Sequence, residues 1–131
     1  MMLVDTSAWI EFFRKQGDPK VKHAVARQLQ RDEAAFTCPI RFELLSGARP
    51  NEVADVTQAL SLSHHLPFEP GDWLEAAKLE RELRRVGLTI PRNDLFVATV
   101  AIRAGVKILC RDQHFDRMHK AFGPRLKVDQ V

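Results

Sequence analysis

Short apolar segments, three or four residues each, alternate along this chain with longer stretches of helical periodicity, and that alternation most constrains how it can fold. Met2 to Asp5, Ala35 to Cys38, Leu66 to Phe68, Val106 to Leu109 and Leu126 to Val128 are bounded by turn residues and read as strands. After the polar turn Asp5-Thr6-Ser7, a first helix places Trp9, Ile10 and Phe13 on one face. Asp18-Pro19 opens a second helix, which carries Val21, Val25 and Leu29 to about Asp32, and Pro39 begins a third that ends near Gly47. Val53, Val56, Ala59 and Leu60 mark a fourth. Gly71 to Val86 makes a long fifth, with Trp73, Ala76, Ala77, Leu79 and Leu83 turned inward. Leu95 to Ala104 is apolar on nearly every side, as suits a helix buried in mid-fold, and Gly105 closes it. Strands alternating with helices in this way indicate an α/β protein, three-layer α/β/α around a mainly parallel sheet. With 131 residues and no repeat, low-complexity tract or linker, residues 1–131 read as a single domain.

Composition narrows the classes. The longest apolar run, Leu95 to Ile102, is far too short for a membrane span. Asp5 interrupts the N-terminal apolar residues before they reach signal-peptide length. The two cysteines, Cys38 and Cys110, lie in no metal or redox spacing, which points to reduced thiols in a cytoplasmic protein. Lys and Arg number 20 against 17 Asp and Glu. If several of those acids gather in one pocket, the remaining surface is more strongly basic, which suits a polyanionic substrate.

In an open parallel sheet, ligands bind beyond the carboxyl ends of the strands. Asp5 ends the first predicted strand, and Asp112 follows the late one by three residues. Glu43 and Asp94 fall in early turns of two helices, a few residues after Pro39 and Pro91. Like charges at about 4 Å repel by roughly 4 kcal/mol at an effective dielectric near 20, so such a cluster persists only with protons or cations. Hard divalent cations prefer these oxygen donors.

Leu3-Val4-Asp5-Thr6-Ser7, Arg41-Phe42-Glu43-Leu44-Leu45, the run from Pro91 through Asn93-Asp94-Leu95 to Thr99, and Leu109-Cys110-Arg111-Asp112-Gln113-His114 are together similar to the four ordered motifs of PIN domains. The chain resembles the VapC-type toxins in length as well. That resemblance implies a Mg²⁺- or Mn²⁺-dependent endoribonuclease, homodimeric, acting on RNA and silenced by a small cognate antitoxin. It implies Asp5, Glu43, Asp94 and Asp112 as catalytic and metal residues, with Thr6 and Ser7 orienting Asp5 or a phosphate oxygen. Two positions depart from the pattern. Cys110 replaces the usual Thr or Ser, and His114 stands where another acid often follows, with Asp116 displaced by two residues. Arg81, Arg84, Arg85 and Arg92 precede Asp94 in sequence and are candidates for gripping RNA.

Each acid also has a purely structural use. Asp5 and Asp94 suit helix starts, and Asp112 suits a turn. Glu43, set among apolar neighbours, resists that explanation unless Arg41 or Arg49 pairs with it. His64-His65 and the His114/His119 pair match no zinc spacing and read as solvated or packing histidines. Phe12 and Phe13 are adjacent, so one is expected to leave the buried face. The competing reading is a PIN-like module that binds RNA or protein with little cleavage. A phosphoacceptor domain lacks its lysine after a late strand, and no glycine-rich phosphate loop is present.

Overall fold

The computed structural model describes residues 1–131. Five parallel strands form one sheet: β1 (Met2–Val4), β2 (Ala34–Phe36), β3 (His64–His65), β4 (Lys107–Cys110) and β5 (Val128–Gln130). Their order is β3-β2-β1-β4-β5, so the chain builds outward from β1 on one side and then returns to β1's other edge. That reversal makes the gap between β1 and β4 the topological switch point. Successive residues Leu3, Val4, Ile108, Leu109 and Cys110 are all buried, so both faces of the central strands are covered.

Seven helices supply the cover: α1 (Thr6–Phe13), α2 (Pro19–Gln30), α3 (Cys38–Gly47), α4 (Val53–Ser61), α5 (Pro70–Arg85), α6 (Arg92–Ala104) and α7 (Gln113–Phe122). The three-layer α/β/α arrangement expected from the alternation is the one observed. Asp5, Asp18 and Asp112 each cap a helix by accepting a main-chain N–H two residues on. Gly105 ends α6 with φ 67°, a left-handed conformation that frees the chain to enter β4 directly. No helix is long and apolar enough to cross a membrane.

Several boundaries differ from the sequence pattern, each for an identifiable reason. β3 lies at His64–His65 rather than Leu66–Phe68: Leu66 N–H still donates to Phe36 O (2.8 Å), but Pro67 has no N–H to continue the ladder. β2 stops at Phe36 because Thr37 is already the N-cap of α3. β5 begins at Val128, two residues later than expected, since Leu126 is spent burying its side chain and closing the turn onto Gly123 O. Ile10 is partly exposed. Phe12 and Phe13 do not split between core and solvent, and both pack half-buried against Trp9.

Helix α5 shows the clearest inversion. Trp73 and Ala77 face outward, with Trp73 61% exposed against the edges of Phe68 and Phe96. The inward stripe is Asp72, Ala76, Leu79 and Leu83. A carboxylate takes the first inward place because Arg103 of α6 meets it through two hydrogen bonds (2.8 and 3.1 Å), while Asp72 also accepts the Glu69 N–H. Arg103→Ala strands that buried charge and is expected to cost roughly 2–3 kcal/mol of stability by denaturant melts. Arg125→Ala, which removes the solvent-facing pair with Glu82, is expected to cost less than about 1 kcal/mol.

Candidate active site

Asp5 follows β1 and remains tied into the sheet: its N–H donates to Leu109 O of β4 (2.9 Å), which sets it at the switch point. Its Oδ2 accepts hydrogen bonds from Ser7 N (3.0 Å) and Ser7 Oγ (2.6 Å). The helix-cap reading of Asp5 is therefore correct for one oxygen. The other, Oδ1, is buried and has no hydrogen-bond partner. Burial, reinforced by the charges of Glu43 and Asp112, pushes the carboxyl up to about 6 despite the two bonds from Ser7.

Three further elements bring acids towards Asp5, whose electrostatic influence they share. The ligating atoms that fall within 4.8 Å of one another belong to Asp94, Asp112 and His114, and not to Asp5 or Glu43. Asp94 lies in the first turn of α6, half-buried. Burial first, and then the charges of Asp5 and Asp112, push it up to about 7, with His114 acting against them. Asp112 caps α7 through Oδ1, which accepts the His114 N–H (2.9 Å), and Gln130 Nε2 donates to the Asp112 carbonyl (2.7 Å). Glu43, on α3, accepts the Thr6 hydroxyl through Oε1 (3.1 Å). It is half-buried and forms no ion pair with Arg41 or Arg49; Arg49 pairs with Glu52 instead.

His114 is not the solvated or packing histidine suggested by its spacing. Its Nδ1 lies 2.9 Å from Asp94 Oδ2 and 3.0 Å from Asp112 Oδ1, and ligating atoms of all three residues fall within 4.8 Å of one another. Asp116 is exposed on α7 and stands outside that group. Cys110 is a small buried hydrophobe at the end of β4, its thiol pushed well up by burial and by the Asp5 charge, so it stays protonated. Three other histidines have structural partners: His64 bonds Asp32 O, His65 stacks on Phe36, and His119 bonds Leu126 O, while His23 is exposed on α2.

Arg111 was invisible to pattern reading, since nothing but its adjacency to Asp112 marks it. Its N–H donates to Ser7 Oγ (3.0 Å), so Ser7 is held in line to donate to Asp5. Its guanidinium pairs with Asp18 at 2.6 Å and donates to Val131 O, which locks the loop after β4 to the start of α2 and to the end of the chain. Arg81, Arg84, Arg85 and Arg92 are exposed; Arg92 pairs with Glu80 at 3.7 Å, and none bonds the acids.

Fold and site together define an α/β protein with a carboxylate-lined centre at the switch point of a parallel sheet. The PIN domain family model matches residues 2–121, and the chain belongs to that family. It is 37% identical over 124 residues to the VapC ribonuclease Mb1587 of Mycobacterium bovis and, equally, to Ribonuclease VapC11 of Mycobacterium tuberculosis, covering 88% of this chain and 90% of each relative. The structure of DNA-bound VapBC from Salmonella typhimurium shares the fold, with a TM-score of 0.80 at 17% identity, over 99% of this chain and 98% of that one.

The raised carboxyls have a thermodynamic consequence. An unfolded aspartic acid ionises near pH 4, whereas Asp5 holds its proton to about 6 and Asp94 to about 7. The folded state thus binds more protons between these values, and this pair's contribution to stability falls as pH rises from about 4 to 7. Without divalent cations at pH 7.5, Asp5→Asn is expected to melt higher than wild type, by up to about 3 kcal/mol. The gap should shrink towards pH 5. A variant less stable than wild type at both pH values would contradict this reading.

Proposed function

We propose that this chain is an endoribonuclease that hydrolyses RNA phosphodiester bonds with a divalent cation, Mg²⁺ or Mn²⁺, and that it is the toxin of a toxin–antitoxin pair. The observation that carries the proposal is the buried, unpartnered Asp5 Oδ1 beside an Asp94 that burial and neighbouring acids hold near neutral pKa. A donor set of carboxylates and one imidazole, short of positive charge, fits a divalent cation. Asp5, Asp94, Asp112 and Glu43 are its proposed holders. When bound, the cation supplies charge that polarises a phosphate oxygen and acidifies an attacking water.

The chain's own groups do the remaining work. Ser7, aligned by the Arg111 N–H, fixes the rotamer of Asp5 through Oδ2 and leaves Oδ1 without a hydrogen bond. Thr6 holds Glu43 by one oxygen, which leaves the other to orient water. The net charge of +3 and the exposed Arg81, Arg84, Arg85 and Arg92 favour approach of a polyanion. Relatives named ribonucleases, matched over nearly their whole length, support the activity. The VapBC complexes of the same fold support an antitoxin as partner, and from the family resemblance alone we extend the proposal to a homodimer in the cytoplasm. A binding module with little cleavage has no use for two aspartates, Asp5 and Asp94, whose pKa values are raised by burial and then by neighbouring acids.

Cleavage of RNA in Mg²⁺ or Mn²⁺ is expected to fall at least a hundredfold in Asp5→Asn and in Asp94→Asn, with unchanged far-ultraviolet circular dichroism. Ser7→Ala, which removes a bond to Asp5 and the acceptor of the Arg111 N–H, should lose about tenfold. Undiminished cleavage by both aspartate variants would overturn the assignment.

A further inference from the structure

His114 differs in kind from the other members of the cluster, because it offers nitrogen where they offer oxygen. Its position is built rather than incidental. Asp112 caps the His114 main-chain N–H, which fixes the residue in the first turn of α7. The ring then lies back over the site, with Nδ1 2.9 Å from Asp94 Oδ2 and 3.0 Å from Asp112 Oδ1. Adjacent ligands of a six-coordinate cation with bonds of about 2.1 Å are separated by about 3 Å, so the nitrogen already stands at ligand spacing from both carboxylates. The imidazole alone does not complete the set, since Asp5 Oδ1 is left buried and unpartnered.

We propose that His114 Nδ1 is itself a ligand, making the centre a mixed nitrogen–oxygen site that favours a first-row transition cation such as Mn²⁺ over Mg²⁺. The inference rests on the cation-dependent reading of the site and deepens it. Mg²⁺ takes oxygen donors almost exclusively and gains little from an imidazole. Imidazole suits the later first-row ions, and Mn²⁺ accepts both donor types. The departure from an acid at position 114 thereby becomes a selectivity element. It also removes one negative charge from a cluster that already strains to hold its own.

The test is made on the intact chain with Mn²⁺ and Mg²⁺ alone, without RNA. Pulsed electron paramagnetic resonance of bound Mn²⁺ should show nitrogen-14 modulation in wild type and none in His114→Asp. Calorimetric titration should give a Mn²⁺ to Mg²⁺ affinity ratio at least tenfold larger in wild type than in that variant. Mn²⁺ bound to wild type without nitrogen coupling overturns this inference and leaves the cation-dependent nuclease intact. Failure of wild type to bind either ion overturns both. The spectroscopic arm reads wild type directly, so it decides the question even if His114→Asp folds poorly.

Discussion

The Asp5 carboxylate is asked to do two incompatible things, and the site is organised around that conflict. Its position after the central strand buries it between β1 and β4, and its role as helix cap engages one oxygen. The second oxygen is left without a partner in a place where desolvation is severe. Capping alone would be served by a solvent-facing side chain at lower cost. Packing Asp94 and Asp112 nearby makes the electrostatics worse for all three. Such an arrangement is relieved by a bound proton or by a cation, so the energetic defect of the isolated chain and its proposed chemistry are one feature.

Around that defect the polypeptide is tightly cross-braced. Asp5 is oriented by Ser7, Ser7 by the Arg111 N–H, and Arg111 by Asp18 and the Val131 carbonyl. Gln130 adds a bond from β5 to the Asp112 carbonyl. The loop after β4 is thus tied to α1, to α2 and to the last strand. Preorganisation of this kind keeps the acids together in the absence of the charge that they require.

Much of this was legible in the sequence. The alternation of short apolar runs with helical periods carried the α/β architecture, and Asp5 and Asp112 could be placed at strand ends because turn residues follow both runs. Asp94 was readable as an acid opening a buried helix. What escaped the pattern depended on partners distant in sequence. Asp72 displaced Trp73 from the inward face of α5 only because Arg103 lies across from it. Hydrophobic periodicity cannot register a paired buried carboxylate. Pro67 ended β3 early through a missing donor, a local rule outweighed in the apolar pattern by Leu66 and Phe68. His114 gave no recognisable ligand spacing, since its partners Asp94 and Asp112 come from two different elements. Arg111 orients Ser7 through its backbone N–H, which carries no residue-type signal at all, and its side chain pairs with Asp18, far away in sequence.

If burial and neighbouring acids hold Asp5 and Asp94 protonated near neutral pH at a site that takes a cation, proton release on cation binding tests the account most directly. Titration of the chain with Mn²⁺ in buffers of different ionisation enthalpy counts the protons displaced. With Asp5 near 6 and Asp94 near 7, binding at pH 6.5 is predicted to release about one proton, declining towards zero by pH 8.5. Tight binding with no proton released at pH 6.5, or no binding at either pH, would contradict the account.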